Sequence, residues 1–161
     1  MKSYFFNDAI NMESVNSLVD RLQNIEGEIE LWFSTEGGNK DPMMYLISFL
    51  NRRKEDITIV LADRLCSAGT LLLTDYYGKI KIDEGLDFMM FHMFDRESYS
   101  LRKDWCIIDK ILTEQDLEGN KIFAKKLKNK GILNDKQIKQ FLKGKDIALH
   151  KKEIKNLRLS K

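Results

Sequence analysis

The spacing of hydrophobic residues along this chain alternates between a helical and a strand period. Apolar side chains recur every three or four residues over 13–25 and the run ends at Gly27, which predicts an amphipathic helix. The stretch ITIVLA, residues 57–62, is a continuous apolar run, typical of a central parallel strand covered on both faces. Asp41 and Pro42 suit the N-cap and first position of a further helix that ends near residue 53.

Strand and helix patterns alternate over the first two thirds of the sequence. The predicted strands are 28–34, 57–62, 79–82 and 87–94, and the predicted helices are 13–25, 41–53, 67–77, 101–129 and 134–142. The part of the chain after residue 100 is therefore predicted to be helical. Such alternation predicts βαβ units and an α/β fold with a mainly parallel sheet. With 161 residues and no linker or repeat, the chain is expected to form a single domain over 1–161.

Composition and charge restrict the possible partners. Hydrophobic residues make up 43% of the sequence and charged residues 32%, as in an ordinary globular domain. The net charge of +2, from 27 basic and 25 acidic residues, gives no reason to expect a nucleic acid partner. The lysine-rich stretch after residue 120 is expected to be a solvated helical surface.

Targeting signals and metal-ligand patterns are not found in the sequence. No apolar run is long enough to cross a bilayer and no secretory signal is present, so we expect a cytoplasmic protein without a membrane partner. Cys66, Cys106 and the two histidines show no metal-type spacing, so we expect neither a zinc site nor a cofactor.

A pair of glycines follows the predicted strand 28–34. Gly37 and Gly38 lie between that strand and the next helix, where glycine permits a tight turn with an N–H pointing outward. Such an N–H can stabilise the oxyanion that develops during acyl transfer. Glycine pairs in general mark turns more often than active sites, so this motif alone does not decide between the two interpretations.

Ser67 lies where the apolar strand 57–62 leads into a helix. A serine there can be a plain N-cap, or it can be a nucleophile at a helix N-terminus with the Ala68 amide as an oxyanion donor. Leucine stands two residues before it, at position 65, where the Gly-x-Ser-x-Gly elbow of other hydrolases has its first glycine, so that elbow is absent. Cys66 is a rival nucleophile, although a cysteine in this setting is more often a small buried hydrophobic residue.

His92 is the better candidate for a general base. It ends the apolar run FMMF on a predicted strand, whereas His150 lies in a lysine-rich stretch that is expected to be exposed. A buried histidine with a purely structural role is the usual alternative. A carboxylate would have to orient the imidazole, and the residues alone do not choose among the candidates, which are Asp87, Asp95, Asp104, Asp109 and Asp146.

Together these segments resemble the proteolytic subunit of the Clp protease, within the wider Clp/crotonase-type fold. FSTEGG (33–38), LCSAGTLLL (65–73) and MMFH (89–92) stand where the family has Asn-Ser-Pro-Gly-Gly, its serine segment and Met-Ile-His. The intervals of 29 residues from Gly38 to Ser67 (67 − 38) and of 25 from Ser67 to His92 (92 − 67) match the family without a gap. The resemblance covers nearly the whole chain.

The resemblance implies a serine peptidase with a Ser67, His92 and Asp146 triad. Asp146 is selected because it precedes a segment in the register of the family's C-terminal Met-Ser-Ala-Glu-Glu-Ala. The family also implies that the amides of Gly38 and Ala68 form the oxyanion hole. The segment 101–129 resembles the family's handle helix, so a homo-oligomer is expected, with peptide or unfolded protein as substrate and no cofactor.

Several positions depart from the family pattern. Thr35 and Glu36 replace Ser-Pro before the glycines, and Met93 and Phe94 replace Gln-Pro after the histidine. Arg158 stands where a glycine is usual. Glu30 replaces an aromatic residue of the ATPase-docking cleft, and the family's N-terminal axial segment is expected to be missing. These last two differences argue against docking of a Clp-type ATPase.

Two other functions remain open at this point. The altered groove after His92 fits a ring-forming structural or regulatory subunit with little or no activity. Crotonase-type enzymes use the same fold for acyl-thioester chemistry with coenzyme A, but they do not need a Ser-His-Asp triad, so the triad spacing argues against that reading.

Overall fold

The structure is a computed structural model that describes residues 1–94 and 106–157, with the side chains of 106–113 excepted. The strands are β1 (Lys2–Asn7), β2 (Ile29–Thr35), β3 (Ile57–Cys66), β4 (Lys79–Ile82), β5 (Phe88–Phe91) and β6 (Ile147–His150). The helices are α1 (Met12–Gln23), α2 (Lys40–Arg52), α3 (Leu72–Asp75), α4 (Cys106–Asn129), α5 (Asp135–Phe141) and α6 (Lys151–Ile154), with a 3-10 helix at Ser67–Leu71. Asp95, Asp104, Arg158 and the start of the predicted helix 101–129 lie outside the described residues.

One mixed, mainly parallel sheet organises these elements. Its strand order is β1-β2-β3-β5-β6, with β4 also paired to β3. The pairs among β1, β2, β3, β4 and β5 are all parallel, and β6 runs antiparallel to β5. The predicted α/β class and mainly parallel sheet are therefore confirmed.

Strand β3 is shared between two neighbours. Its first part, Thr58 to Leu61, pairs with β4, and its second part, Arg64 to Cys66, pairs with β5. Parallel strands need crossover connections, and the chain provides them with α1 between β1 and β2 and α2 between β2 and β3. The second part of β3 leads directly into the 3-10 helix.

The core lies on the face of the sheet that α1 and α2 cover. On β2 and β3 every second side chain is buried there, and both helices bury an apolar stripe against them. On the other face Trp32 and Thr58 are only half-buried. The prediction that residues 57–62 are covered on both faces of the sheet is thus wrong at Thr58, on the face away from α1 and α2.

Other predicted elements differ from the structure at their ends or in type. Helix α2 begins at Lys40 after the N-cap Asn39, so Asp41 and Pro42 lie inside the first turn. The helix predicted over 67–77 is a 3-10 helix followed by the short α3. The prediction that everything after residue 100 is helical is wrong at β6, because that segment pairs with β5.

Candidate active site

Ser67 and His92 follow the carboxyl ends of two neighbouring parallel strands. Ser67 comes directly after β3, and His92 comes directly after β5. The last paired residues are Cys66 on β3 and Met90 on β5, so the two strands end at nearly the same level. Parallel strands bring the residues that follow them to one edge of the sheet, and ligands bind at such edges in many α/β proteins.

The side chains of Ser67 and His92 are in direct contact. Ser67 Oγ lies 2.5 Å from His92 Nε2. Ser67 is 9% exposed and His92 is half-buried, so both are partly shielded from water. When the imidazole carries its proton on Nδ1, Nε2 accepts a hydrogen bond from the serine hydroxyl. A histidine base needs this arrangement to remove the proton of a hydroxyl nucleophile.

The backbone that leads to Ser67 is irregular. Between two paired positions β2 advances from Phe33 to Thr35, whereas β3 advances from Leu61 to Leu65, so β3 contains two extra residues. Asp63, within this bulge, has φ +58°. Ser67, just after the end of β3, has φ +51°. Positive φ is uncommon outside glycine, and bulges beside active sites re-aim side chains. The bulge and the positive φ of Ser67 thus lie in the short stretch of backbone that ends at the Ser67–His92 contact.

Gly37 packs directly against Ser67. A Cβ at Gly37, where φ is +106°, would lie 2.5 Å from Ser67 Cβ and 3.2 Å from Ser67 Oγ. Thr35 fixes this turn, because its hydroxyl accepts the Gly37 N–H at 3.0 Å and donates to the Asp8 carbonyl at 2.7 Å. Any side chain at position 37 would therefore displace the serine.

Two amides beside Ser67 make no hydrogen bond within the described parts of the chain. Gly38 pairs with Ile10 through the main-chain groups of its two neighbours: the Ile10 N–H donates to the Gly37 carbonyl, and the Asn39 N–H donates to the Ile10 carbonyl. The N–H of Gly38 itself therefore points away from Ile10. Ala68 lies in the first turn of the 3-10 helix, where N–H groups lack an intrahelical acceptor. These amides belong to the two residues that the sequence predicts as oxyanion donors: Gly38 follows Gly37, which packs on Ser67, and Ala68 follows Ser67 in the chain.

The Cys66 thiol is a poor nucleophile in this environment. Its side chain is 2% exposed. Burial is the largest cause that raises the pKa of the Cys66 thiol, and the negative charge of Glu36 adds to it. Because the thiolate is the reactive form, a raised pKa leaves Cys66 protonated and unreactive at neutral pH.

Asp146 lies near His92 along the backbone but does not contact its imidazole. The last pair between β5 and β6 is Phe91 with Ile147, so His92 and Asp146 are the residues just beyond this pair on the two strands. The Asp146 side chain is exposed, and no hydrogen bond joins it to His92. The strand pairing places this carboxylate at the right end of the sheet, while its side chain is turned toward solvent.

The remaining acid candidates do not contact His92 where they are described. Asp87 is exposed, and its N–H donates to the Asp63 carbonyl at 3.0 Å. The side chain of Asp109 on α4, like the whole of Asp95 and Asp104, lies outside the described residues. His150 is exposed, as predicted from its lysine-rich surroundings, and its ring packs 5.5 Å from that of Phe88.

Glu36 and Arg64 form an ion pair between the glycine turn and the bulge. Arg64 Nη1 contacts Glu36 Oε1, and Arg64 Nε contacts Asp63 Oδ2 at 3.1 Å. Hydrogen bonds to Asp63 and then to Glu36 raise the pKa of Arg64. Glu36 replaces a proline of the family pattern, and its ion pair links the turn to β3 from outside.

Asn120 was not among the residues predicted for the site. Its side chain on α4 is 2% exposed and makes hydrogen bonds to both main-chain groups of Phe94, two residues after His92. The one signal in the sequence is an asparagine in the interior of a long helix, where it is intrinsically unfavourable. Nothing in the sequence indicates its partner.

Among the residues that the structure describes, no cluster of three or more histidine, cysteine or acidic side chains could hold a metal ion. None of the helices in the described ranges is long and apolar enough to cross a membrane. No model of a known protein family matches the chain, and no curated protein matches it either.

Proposed function

We propose that this protein is a serine peptidase that hydrolyses peptide bonds with Ser67 as nucleophile and His92 as general base. The observation that carries the proposal is the 2.5 Å contact between Ser67 Oγ and His92 Nε2. It is supported by the positive φ of Ser67 and by the glycine turn packed against it. A nucleophile hydrogen-bonded to a histidine beside unpaired amides is the arrangement that acyl transfer requires.

The proposed mechanism follows from these positions. His92 Nε2 takes the Ser67 proton as Oγ attacks the carbonyl carbon of the substrate. The amides of Gly38 and Ala68 receive the oxyanion. His92 then returns the proton to the leaving amine, and water hydrolyses the acyl-enzyme by the same steps. Asp146 completes the triad by a rotation of its exposed side chain toward Nδ1 of His92.

The fold that we propose for this activity is of the Clp/crotonase type. Three features support it: the parallel sheet in which β3 is shared by β4 and β5, the spacing of Gly38, Ser67 and His92, and the 24-residue helix α4. A long helix of this kind fits the handle by which family members associate. We propose a homo-oligomer that acts on peptides or unfolded proteins in the cytoplasm, and light scattering at micromolar concentration that gave a monomer mass would contradict it.

A second candidate function is a ring-forming structural or regulatory subunit without peptidase activity. The exposed Asp146 favours it, because without its carboxylate the imidazole lacks the group that stabilises its charged form. Glu30, at the position of a docking-cleft aromatic, is paired with Lys81 at 2.6 Å, and this polar contact fits a subunit that works without a Clp-type ATPase.

Labelling with a fluorescent fluorophosphonate separates the two candidates. The parent should give one adduct on Ser67, with no adduct in Ser67→Ala and roughly 10²–10⁴-fold slower labelling in His92→Ala. Ser48→Ala, which removes an exposed hydroxyl on α2, and Cys66→Ala should label like the parent. No adduct on the folded parent would favour the inactive subunit. Slow labelling of Asp146→Asn would show that the carboxylate acts during the reaction.

A further inference from the structure

The segment that carries His92 has no support from the sheet beyond Phe91. The ladder between β5 and its neighbours ends at that residue, and residues 92–94 lie outside any strand. The imidazole could therefore occupy several positions unless another element fixed this segment. Apart from the Ser67 hydroxyl at the His92 imidazole, the described side chain that hydrogen-bonds to this segment is that of Asn120, which binds its main chain.

The Asn120 amide pairs with Phe94 as a neighbouring strand would. Phe94 N–H donates to Asn120 Oδ1 at 2.8 Å, and Asn120 Nδ2 donates to the Phe94 carbonyl at 3.1 Å. Nδ2 also donates to the Asp116 carbonyl on α4 at 2.9 Å, which fixes the amide on its own helix. All of these contacts are shielded from water because Asn120 is 2% exposed.

Ring packing joins the same two elements. The Phe94 ring lies 5.3 Å from that of Phe123 on α4 and 6.2 Å from the His92 imidazole. Packing of this kind is tolerant of small shifts, whereas the two amide hydrogen bonds fix both distance and direction. The amide is thus the element that sets where the chain goes after His92.

We propose that Asn120 is a positioning residue, which holds the 92–94 segment on α4 so that His92 Nε2 reaches Ser67 Oγ. Only the expected change in labelling rate rests on the proposed function, whereas the position of His92 does not. Asparagine is a poor residue for a helix interior, and its hydrogen bonds across to Phe94 offset that cost. A misplacement of about 1 Å at a catalytic group can slow a reaction by roughly 10²-fold.

The test compares three variants of the full-length protein. Asn120→Leu keeps the branched shape of the side chain and removes both hydrogen bonds to Phe94, and Asn120→Asp keeps an acceptor for the Phe94 N–H. Phe123→Leu removes the buried ring that packs on Phe94 and Phe141 and leaves both amide hydrogen bonds in place. Fluorophosphonate labelling should slow about tenfold to 100-fold in Asn120→Leu, less in Asn120→Asp, and less than threefold in Phe123→Leu. A variant of matched stability, such as Leu127→Val on the same helix, controls for general destabilisation.

A second readout reports the histidine itself. The chain has only two histidines, so ¹⁵N-histidine spectra are assigned with a His150→Gln variant. In Asn120→Leu the His92 signals should move toward those seen in Ser67→Ala, where the contact is absent, while the His150 signals stay in place. If Asn120→Leu does not fold, the aspartate variant is judged by the same criteria.

The outcomes separate this inference from the proposed function. Parent-like labelling and parent-like His92 signals in folded Asn120→Leu would overturn the positioning role. Slowing no greater than in Leu127→Val, with His92 signals unmoved, would also overturn it. If the parent does not label but its His92 signals respond to Asn120→Leu, the peptidase proposal fails and the positioning role holds.

Discussion

The two halves of β3 differ in regularity although they belong to one strand. From Ile57 to Leu61 the strand pairs residue by residue with β2 on one side, and over its last four positions with β4 on the other. Ile57, Ile59 and Leu61 are all at most 1% exposed. This half is an ordinary buried strand, whose burial and ladder hydrogen bonds contribute to stability.

From Ala62 to Cys66 the same strand is bulged and only partly paired. Asp63 has a positive φ, pairing with β2 resumes only at Leu65, and the strand is followed directly by Ser67, whose φ is also positive. Strained residues of this kind cost about 1–3 kcal/mol each and persist where the surrounding structure fixes them. The comparison teaches that the regular half stabilises the fold, while the irregular half holds a reactive geometry at a cost in free energy.

The largest loss of stability is expected for Gly38→Ala, in the turn beside the irregular half of β3. A Cβ there would lie 2.2 Å from the Ile10 carbonyl oxygen, and the φ of +146° is itself unfavourable for alanine. Because the clash is with backbone, it cannot be relieved by a rotamer change. We expect a loss of about 3 kcal/mol in the free energy of unfolding, measured by urea denaturation.

Gly131→Ala is the matched control for this substitution. Gly131 also has a positive φ, of +67°, but no atom lies within 4 Å of its ideal Cβ position. It should lose only about 1 kcal/mol, the cost of the backbone conformation. Equal losses in the two variants would mean that the turn has room to relax, and the tight packing ascribed to the irregular half would be wrong.

Tyr76→Phe tests the regular half. The Tyr76 hydroxyl is buried and donates to the Ile57 carbonyl at 2.5 Å, at the start of β3. Its removal leaves that carbonyl without this donor, so we expect a loss of about 1–2 kcal/mol at neutral pH. Labelling of Ser67 should be unchanged, because Tyr76 lies at the opposite end of the strand.

The same variant makes a prediction about alkaline pH. Burial raises the pKa of Tyr76 to about 12, above its ordinary value of 10.0. The folded state therefore keeps a proton that the unfolded state loses above pH 10, and stability falls as pH rises from about 10 through 12. The fall should amount to about 2 kcal/mol more in the parent than in Tyr76→Phe. Parallel pH curves for the two proteins would contradict a buried hydroxyl.

Glycine and alanine substitutions should rank in opposite orders of stability at Ser67, after the irregular half of β3, and at Thr58, in its regular half. Ser67→Gly and Ser67→Ala both lack the hydroxyl, so they differ mainly in how well they accept φ +51°. Glycine should be the more stable by about 1 kcal/mol. At Thr58, in the regular half, glycine should instead be less stable than alanine by about 0.5–1 kcal/mol. The same order at both positions in thermal unfolding would show that Ser67 is not strained.

The sequence allows prediction of the elements whose hydrophobic pattern is local. Helix α1, strand β4 and helix α5 were predicted within two residues of their observed ends, because periodicity and caps are carried by neighbouring residues. Strand β6 was missed because its four residues stand in a lysine-rich segment and become a strand only by pairing with the distant β5. The bulge in β3 was missed for the same reason, since it is defined by its register with β2.

Prediction of the candidate site shows the same limit. Ser67 and His92 could be placed at strand ends from the sequence, and the topology explains why they meet. The choice of Asp146 came from the resemblance alone, and the structure leaves its side chain exposed. Asn120 could not be predicted, because its partner is the main chain of Phe94, which has no signature in the sequence.

The smallest expected effect on stability concerns the ion pair between Glu36 and Arg64 at the irregular half. The side chains are 72% and 44% exposed, so solvent screens the pair and Glu36→Gln should lower the free energy of unfolding only slightly. The Glu30–Lys81 pair at the regular half is the control, since Glu30 is only 14% exposed. Glu30→Gln should therefore lose more stability than Glu36→Gln in the same denaturation assay.

Labelling kinetics should reverse that order. Glu36 precedes Gly37 and Gly38, so the loss of its pair loosens the turn that packs on Ser67, whereas Glu30 lies far along β2 from that turn. We expect labelling to slow severalfold in Glu36→Gln and not in Glu30→Gln, and 1 M salt to slow the parent by screening the exposed pair. If labelling is indifferent to both Glu36→Gln and salt, the Thr35 hydroxyl and the Ile10 main chain hold the turn alone, and the ion pair is only a surface contact.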